Sequence, residues 1–387
     1  MVSFGAFQSK TIGKGVAMPY IWENPNWPDF KIEMRTLQKD YERYLYQKGL
    51  TDQVFSFISP ELRNVVYAQT LSNGVVSSNE IEGVSVSYDS VYSSVAKALA
   101  IESFTTPKQD RYAQILAEVS LSVQANEEAI TEKTILNWHK LLFEGVAPAY
   151  RTHSIGEYRN GPVYIMNVSG SMKNDIIYEG VPADRIKENM DVLVKWIHDH
   201  QDGLPAIARS AIASIWFVSI HPFEDGNGRI SRLLADAIMA QHDSSLKYCS
   251  VSSAILKNKK EYYNQLYEVQ RSQSMDVSAF VAWYIKLVSD SLLDAERTCK
   301  RKIALSQFMA SLDPSEYNSR EISMLYKLAS GSFYGKLTAE KWCKLTKCQS
   351  ATATRDLSHL VEKGLLRKSN EGGRSSWYYL NDAILET

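Results

Sequence analysis

The sequence lacks what would mark a secreted, membrane-spanning or metal-stapled chain. Its four cysteines, Cys249, Cys299, Cys343 and Cys348, form no C-x-x-C pair. That spacing excludes a zinc ribbon or a disulfide framework and fits buried thiols in a reducing compartment. No uninterrupted apolar run approaches the roughly 20 residues of a bilayer-crossing helix. The first residues show no basic segment followed by an apolar one, so a cytoplasmic location with no membrane partner is expected. Charge of neither sign dominates: 43 Lys and Arg against 44 Asp and Glu give -1, which argues against a nucleic-acid-binding field spread over the whole chain. What the chain does have is ordinary globular material, since 387 residues at 44% hydrophobic content are enough for two or three domains.

The stretch richest in chemistry is His221-Pro222-Phe223-Glu224-Asp225-Gly226-Asn227-Gly228-Arg229-Ile230-Ser231-Arg232. An apolar run from Ile212 to Ile220, with Trp216, Phe217 and Ile220 at helical spacing, precedes it, and Leu233 to Met239 reads as a second helix. The motif is therefore a helix-loop-helix corner. Gly226 and Gly228 let the backbone turn sharply and let a ligand approach it. The loop amides then lie at the positive end of the following helix, where phosphate is well held. Arg229 and Arg232 share one face of that helix and can grip a polyphosphate. Asp225 offers a carboxylate suited to Mg2+, and His221 is placed to take a proton from an attacking hydroxyl.

These residues resemble the Fic family signature, H-x-F-x-[DE]-G-N-G-R-x-x-R, at every specified position. The resemblance implies a mainly α fold, a Fic helical core with a β-hairpin flap. It implies a protein adenylyltransferase, moving AMP from ATP to a Ser, Thr or Tyr hydroxyl of a target protein, the chain itself included, with release of pyrophosphate. By that resemblance His221 is the general base and Asp225 holds Mg2+. Asn227, with the amides of Gly226 and Gly228, binds around the α-phosphate, and Arg229 and Arg232 hold the β- and γ-phosphates. The intact GNGR loop differs from the kinase-like branch of the family, in which the first glycine is replaced. The same site can also remove AMP, and the sequence leaves that balance open.

Upstream, residues 1 to about 30 read as an irregular arm pinned by tryptophans, with Asp29 capping a helix from about Phe30 to Gly49. This opening resembles a small N-terminal domain found ahead of some bacterial Fic domains. A further helix is expected from Pro60 toward Ser78, interrupted or shifted near Asn73-Gly74. Behind it, Ser78-Asn79-Glu80-Ile81-Glu82-Gly83 matches the family's inhibitory pattern [ST]-x-x-x-E-[GN]. In relatives with that pattern the glutamate pairs with the second motif arginine, so Glu82 is expected to reach Arg232 and fill the γ-phosphate position. A charge-assisted contact of about 1.5 to 3 kcal/mol suppresses productive ATP binding by roughly ten- to a hundredfold.

Helices follow over Asp110 to Asn126 and Thr131 to Phe143, with His139 read as a core histidine. The segment from Gly156 to Met166 and the run Asp175-Ile176-Ile177-Tyr178 then read as a hairpin. By resemblance this is the flap, with Val163, Tyr164, Ile165 and Met166 over the nucleotide and the target strand added at its edge. A plain structural ribbon is the alternative. After Pro182 comes a helix ending near His198 and His200, which face apart and so make no joint metal site.

Beyond the motif, Lys257 to Leu266 resembles the family's Tyr-Tyr helix, with Tyr263, Tyr262 and Gln270 beside the adenine; core aromatics are the alternative. A helix from Val277 to about Leu305 closes that region. From about Asp313 the pattern resembles a small winged helix-turn-helix domain: helices Arg320 to Ala329, Thr338 to Leu345 and Ser350 to Lys363, then a hairpin around Gly372-Gly373. Lys and Arg exceed Asp and Glu by five between Gly335 and Arg374. Ser350, Thr352, Thr354 and Arg355, with Arg374 on the wing, are candidates for a DNA groove, while protein docking or a homodimer suits the same bias. The expected domains are 1–105, 106–310 and 311–387. The competing functions are a DNA-binding regulator with a Fic sensor or self-modifying domain, and a scaffold with a degenerate site.

Overall fold

The structure is a computed structural model of the chain, and it describes residues 20–101, 110–125, 129–144, 154–167, 175–200, 203–241, 247–313, 315–329, 336–369 and 376–385. Two compact units result, the first running to Ala295 and the second from Glu296. The first unit begins with α1 (Met34–Ser56), α2 (Pro60–Ile81), α3 (Tyr88–Ala98), α4 (Arg111–Ala125) and α5 (Glu132–Glu144). A two-stranded antiparallel ribbon follows, β1 (Tyr164–Asn167) with β2 (Asp175–Glu179). Then come α6 (Ile186–Asp199), α7 (Ala206–Ile220), α8 (Asn227–Ala240), α9 (Val251–Lys257), α10 (Lys259–Gln270) and α11 (Ser278–Ser311), of which the residues from Glu296 on belong to the second unit. The architecture is mainly helical, as the sequence implied.

The central element is α7. Every residue from Ile207 to Ile220 is buried, because a helix that is apolar all round must be enclosed on all sides. One side of it, Ala213, Trp216, Phe217 and Ile220, packs into a core drawn from α2 to α6 and α8. The other side, Ile207, Ala211, Ile212, Ile215 and Val218, packs into a core with α1 and α9 to α11. Serines on both helices let α8 approach closely: Ser231 Oγ of α8 donates to Ser214 O (2.9 Å), and Ser210 Oγ of α7 to Ala235 O (3.1 Å). The first core runs without a break from Ala68 on α2 to Ile238 on α8, across the expected boundary at residue 105.

Several helix limits differ from expectation, each for a local reason. The first helix starts at Met34, not near Phe30, because Lys31 is extended, donating to Met275 O and accepting from Val277 N (both 2.9 Å). It also runs through Gly49 to Ser56, since the space around Gly49 is open and nothing forces a stop there. The second helix is continuous through Gly74, where a Cβ would lie 2.9 Å from Ser250 Oγ. That glycine serves a close crossing with α9 and does not break the helix. Asp110 and Thr131, at the expected starts of two helices, cap α4 and α5, accepting from Tyr112 N (3.0 Å) and Thr134 N (3.1 Å). His200 returns to Trp196 O at the end of α6, but His198 bonds Ile130 O (2.8 Å) outside the helix.

The second unit contains α12 (Ser319–Ala329), α13 (Ala339–Thr346), α14 (Ser350–Glu362) and an antiparallel pair, β3 (Leu366–Lys368) with β4 (Tyr378–Leu380). Trp342, Leu325, Leu357 and Leu360 form its core. The buried Asp356 accepts from Arg320 Nε (2.9 Å), Asn318 Nδ2 (3.0 Å) and Trp342 Nε1 (3.2 Å), tying the three helices together. The helices fall within two residues of their expected limits. The expected turn at Gly372-Gly373 and Arg374 lies outside the described residues.

Candidate functional site

The corner between α7 and α8 is built from the end of α7 outward. A helix leaves its last carbonyls without intrahelical donors, and here each one is taken up by something specific. Phe217 O accepts from His221 N (3.0 Å), and Ser219 O from the buried Tyr178 hydroxyl of β2 (2.6 Å). Val218 O receives His221 Nδ1 (3.1 Å) and Gln270 Nε2 (3.4 Å). Ile220 O accepts from Val181 N (3.2 Å), His221 O from Arg159 Nε (2.8 Å) and Pro222 O from Arg159 N (3.0 Å). His221 itself takes a left-handed conformation, φ 54° and ψ 58°, which costs a non-glycine residue about 1 to 2 kcal/mol.

That geometry decides the chemistry of the imidazole. Burial pushes the His221 pKa down to about 4, against the raising effect of the Val218 hydrogen bond; Arg159 lowers it further, and Glu82 and Asp225 oppose. The ring is therefore neutral near pH 7. A carbonyl cannot donate, so the proton must be on Nδ1 and the lone pair on Nε2. A ring in this tautomer is a proton acceptor.

The loop is held from inside. Asn227 Oδ1 accepts from Phe223 N (2.9 Å) and its Nδ2 donates to Phe223 O (2.7 Å), so its side chain shapes the loop. His139 is neutral as well: Nδ1 accepts from Gly156 N (2.9 Å), which leaves Nε2 to donate to Asp225 O (3.1 Å). Its ring stacks on Phe223, centroids 3.8 Å apart. The core role expected of His139 thus includes fixing this loop. Gly226 has φ +83°, and a Cβ there would press on Phe143 and Leu142. Asp225 Oδ1 accepts from Gly226 N (2.6 Å), while Arg229 Nη2 stands 3.5 Å from both carboxylate oxygens.

Both arginines of α8 are buried, at 4% exposure, and Arg229 Nε and Arg232 Nη1 have no hydrogen-bond partner among the described residues. Buried donors of this kind are costly unless something accepts from them. Arg232 Nη2 meets Glu82 Oε1 (2.8 Å) and Ser78 O (2.7 Å), and Nε meets Ser78 Oγ (2.9 Å). Burial works against the charge of Arg232, but the Glu82 carboxylate, together with Tyr262 and Tyr263, more than offsets it, and its pKa is raised. Glu82 also lies over the first turn of α8, where a Cβ on Gly228 would overlap Oε1. Gly83, with φ +76°, ends α2 just beyond.

Residues 129–239 match the model of the Fic/DOC family. Over that segment the chain is similar to the Fic/DOC family. Residues 20–101 match a domain of unknown function designated DUF4172. Among curated proteins, the chain is similar to the protein adenylyltransferase fic-1 of Caenorhabditis elegans, 27% identical over 38% of this chain and 29% of that protein. A probable protein adenylyltransferase of Aquifex aeolicus, aq_aa38, is 25% identical over 38% of this chain and 50% of its own length. The chain thus spans half or less of these relatives. A crystal structure of a Fic family protein from Desulfovibrio desulfuricans G20 superposes with a TM-score of 0.49 at 19% identity, over 88% of this chain and 96% of the other.

Around the Fic loop, the ribbon rises from the same corner: Gly180 N bonds Val163 O (3.2 Å). Tyr164 and Ile165 face Glu179 and Tyr178, and the register shifts between Ile165 and Met166 before Met166 meets Ile176. Tyr262 is buried and Tyr263 half-buried, rings 5.4 Å apart, with the Tyr263 hydroxyl on Ile81 O (3.4 Å) next to Glu82. Gln270 is spent on the carbonyl beneath His221. Sequence reasoning missed Arg159, Tyr112 and Asp236. Tyr112 of α4 lies 3.5 Å from Arg229 and donates to Asn79 (3.2 Å); burial pushes the Asp236 carboxyl up to about 7, with Arg232 opposing. Arg159 and Tyr112 lie outside the motif, so no spacing pointed to them.

Proposed function

We propose that the chain is an ATP-dependent protein adenylyltransferase whose Fic site is held back by Glu82. The observation that carries this reading is the pairing, in one loop, of a neutral histidine with its Nε2 lone pair available and two buried arginines with donors left over. In the reaction a target Ser, Thr or Tyr hydroxyl oxygen forms a bond to the α-phosphorus of ATP, the bond to pyrophosphate breaks, and the hydroxyl proton goes to His221 Nε2. The amides of Gly226, Asn227 and Gly228, at the start of α8, face the phosphates. Arg229 and Arg232 bind the β- and γ-phosphates, and Tyr262 and Tyr263 lie toward the base.

A Mg2+ ion suits Asp225, whose Oδ2 meets only Arg229 Nη2, at 3.5 Å, among the hydrogen bonds of the described residues. No cluster of three His, Cys, Asp or Glu side chains is found among the described residues. One carboxylate fits an ion that takes its other ligands from phosphate and water. When bound, it neutralises phosphate charge.

The target strand is proposed to add along β1. Carbonyls of β2 are engaged, Ile176 and Ile177 by Arg271 (3.1 and 2.7 Å) and Glu179 by Trp22 Nε1 (2.8 Å). The main chain of β1 is then the edge left for augmentation, with Tyr164 exposed on it. Inhibition follows from Arg232: while Glu82 and Ser78 engage it, a γ-phosphate must compete for the same guanidinium. The test is mass spectrometry of proteins from a cell lysate incubated with Glu82→Gly protein, ATP and Mg2+. AMP adducts absent with His221→Ala are expected; no adduct with any protein, the chain itself included, would overturn the reading.

For the second unit, exposed Ser350, Thr354 and Arg355 on α14 support DNA binding as a separate role. A gel shift surviving moderate salt is the expected result, whereas binding lost on adding salt would reflect charge alone.

A further inference from the structure

Arg159 has no catalytic place in the reading above, yet it is among the most enclosed charged residues, 3% exposed. No carboxylate lies within ion-pair distance of it among the described residues. A buried guanidinium without a counter-charge must be compensated by hydrogen bonds, and here all its acceptors are backbone carbonyls. Nε donates to His221 O (2.8 Å), Nη1 to Gly161 O (2.7 Å), and Nη2 to Val181 O and, at 3.4 Å, to Ile220 O. Its own amide donates to Pro222 O (3.0 Å). One planar fork thus joins the strained turn at His221 to the residues leading into β1 and out of β2.

We propose that Arg159 is the positioning residue for the Fic histidine, holding the left-handed turn on which the imidazole stands and locking that turn to the foot of the ribbon. An apolar residue would fill the space, but only a fork of N–H donors can collect carbonyls that neither helix nor ribbon uses in full. Gly180 is part of the device. A Cβ there would stand 2.7 Å from Arg159 Nη2, 2.8 Å from Val163 Cγ1 and 3.0 Å from His221 Cβ, so the fork reaches the turn only because position 180 has no side chain. For Arg159 the proposal predicts a loss in kcat and not in ATP binding, because Arg159 contributes nothing to the cradle around Gly228, Arg229 and Arg232.

The inference rests on His221 acting as the proton acceptor, and its test separates the two claims. Arg159→Lys keeps the charge and loses the fork; Gly180→Ala keeps every polar group and displaces the fork. For both, kcat is expected to fall by about a hundredfold, the effect of an ångström-scale misplacement; for Arg159→Lys, KM for ATP is expected to stay within about threefold. In nucleotide-free protein, the ring-nitrogen NMR shifts of His221, assigned with His221→Gln, are expected to leave the Nδ1–H form. Arg159→Gln also removes a positive charge, leaving Glu82, Asp225 and the Val218 carbonyl facing the ring, so the acid limb of its kcat profile is expected to move to higher pH. Wild-type nitrogen shifts and an unmoved limb in variants that remain folded would overturn the proposal, reducing Arg159 to a brace. Shifted nitrogens in a protein that transfers no AMP would sink the adenylyltransferase reading and leave the positioning claim standing.

Discussion

At the His221 end of the Fic loop every carbonyl from Phe217 to Pro222 has a donor, whereas at the arginine end Arg229 Nε and Arg232 Nη1 have no acceptor among the described residues. The same short loop is therefore finished at one end and incomplete at the other. A base does its work in a fixed tautomer and orientation, so its surroundings can be completed in advance. On the proposed reading, a polyphosphate clamp has to retain unsatisfied donors until its anion arrives, and preorganised donors of this kind are what an incoming charge rewards most. Glu82 supplies part of that missing charge from within the chain.

The largest way to break this contrast is at the finished end. His221→Ala is expected to slow AMP transfer by about a thousandfold, within the usual span for a general base, with ATP affinity by calorimetry nearly unchanged. A parallel loss of affinity would mean that the two ends are not separable. At the incomplete end, Glu82→Gly frees Arg232 and is expected to raise both ATP affinity and transfer rate by roughly ten- to a hundredfold. An unchanged rate would make the Glu82 contact incidental. Gln270→Leu removes one of two donors to Val218 O and is expected to cost about two- to tenfold in rate, the worth of one hydrogen bond.

The smallest effect concerns pH. Because burial lowers the His221 pKa from 6.5 to about 4, the rate is expected to hold as pH falls through 6.5 and to drop only near 4. The sign for stability is opposite in use: the unfolded chain takes up a proton below about 6.5 and the folded chain does not until about 4. Stability present above 6.5 is therefore lost on acidification through that window. Denaturant midpoints across the window, compared with His221→Gln, check it; identical slopes would show that the ring is not protected.

The loop itself was legible because its residues are contiguous. His221, Asp225, Gly226, Gly228, Arg229 and Arg232 carry their meaning in their spacing, and a helix-loop-helix corner follows from the apolar run before it. Helix limits were legible where a polar residue opens an apolar period, as at Thr131. They failed where a distant strand of chain decides, as at Lys31, or where a glycine serves a crossing, as at Gly74. What the sequence hid is the support. Arg159, Tyr112, and the bonds of His139, Gln270 and Asn227 act through contacts brought together only by folding, and one arginine in an irregular segment looks like any solvated charge. The contact of Glu82 with Arg232 was foreseen from a six-residue pattern, but the need for Gly228 beneath it was not.

The most direct test follows the phosphorus. Glu82→Gly protein incubated with target extract and Mg2+ should take up label from ATP marked at the α-phosphate and none from ATP marked at the γ-phosphate, and His221→Ala in the same background should abolish uptake. Label arriving from the γ-phosphate, or α-label that persists without His221, would contradict the account.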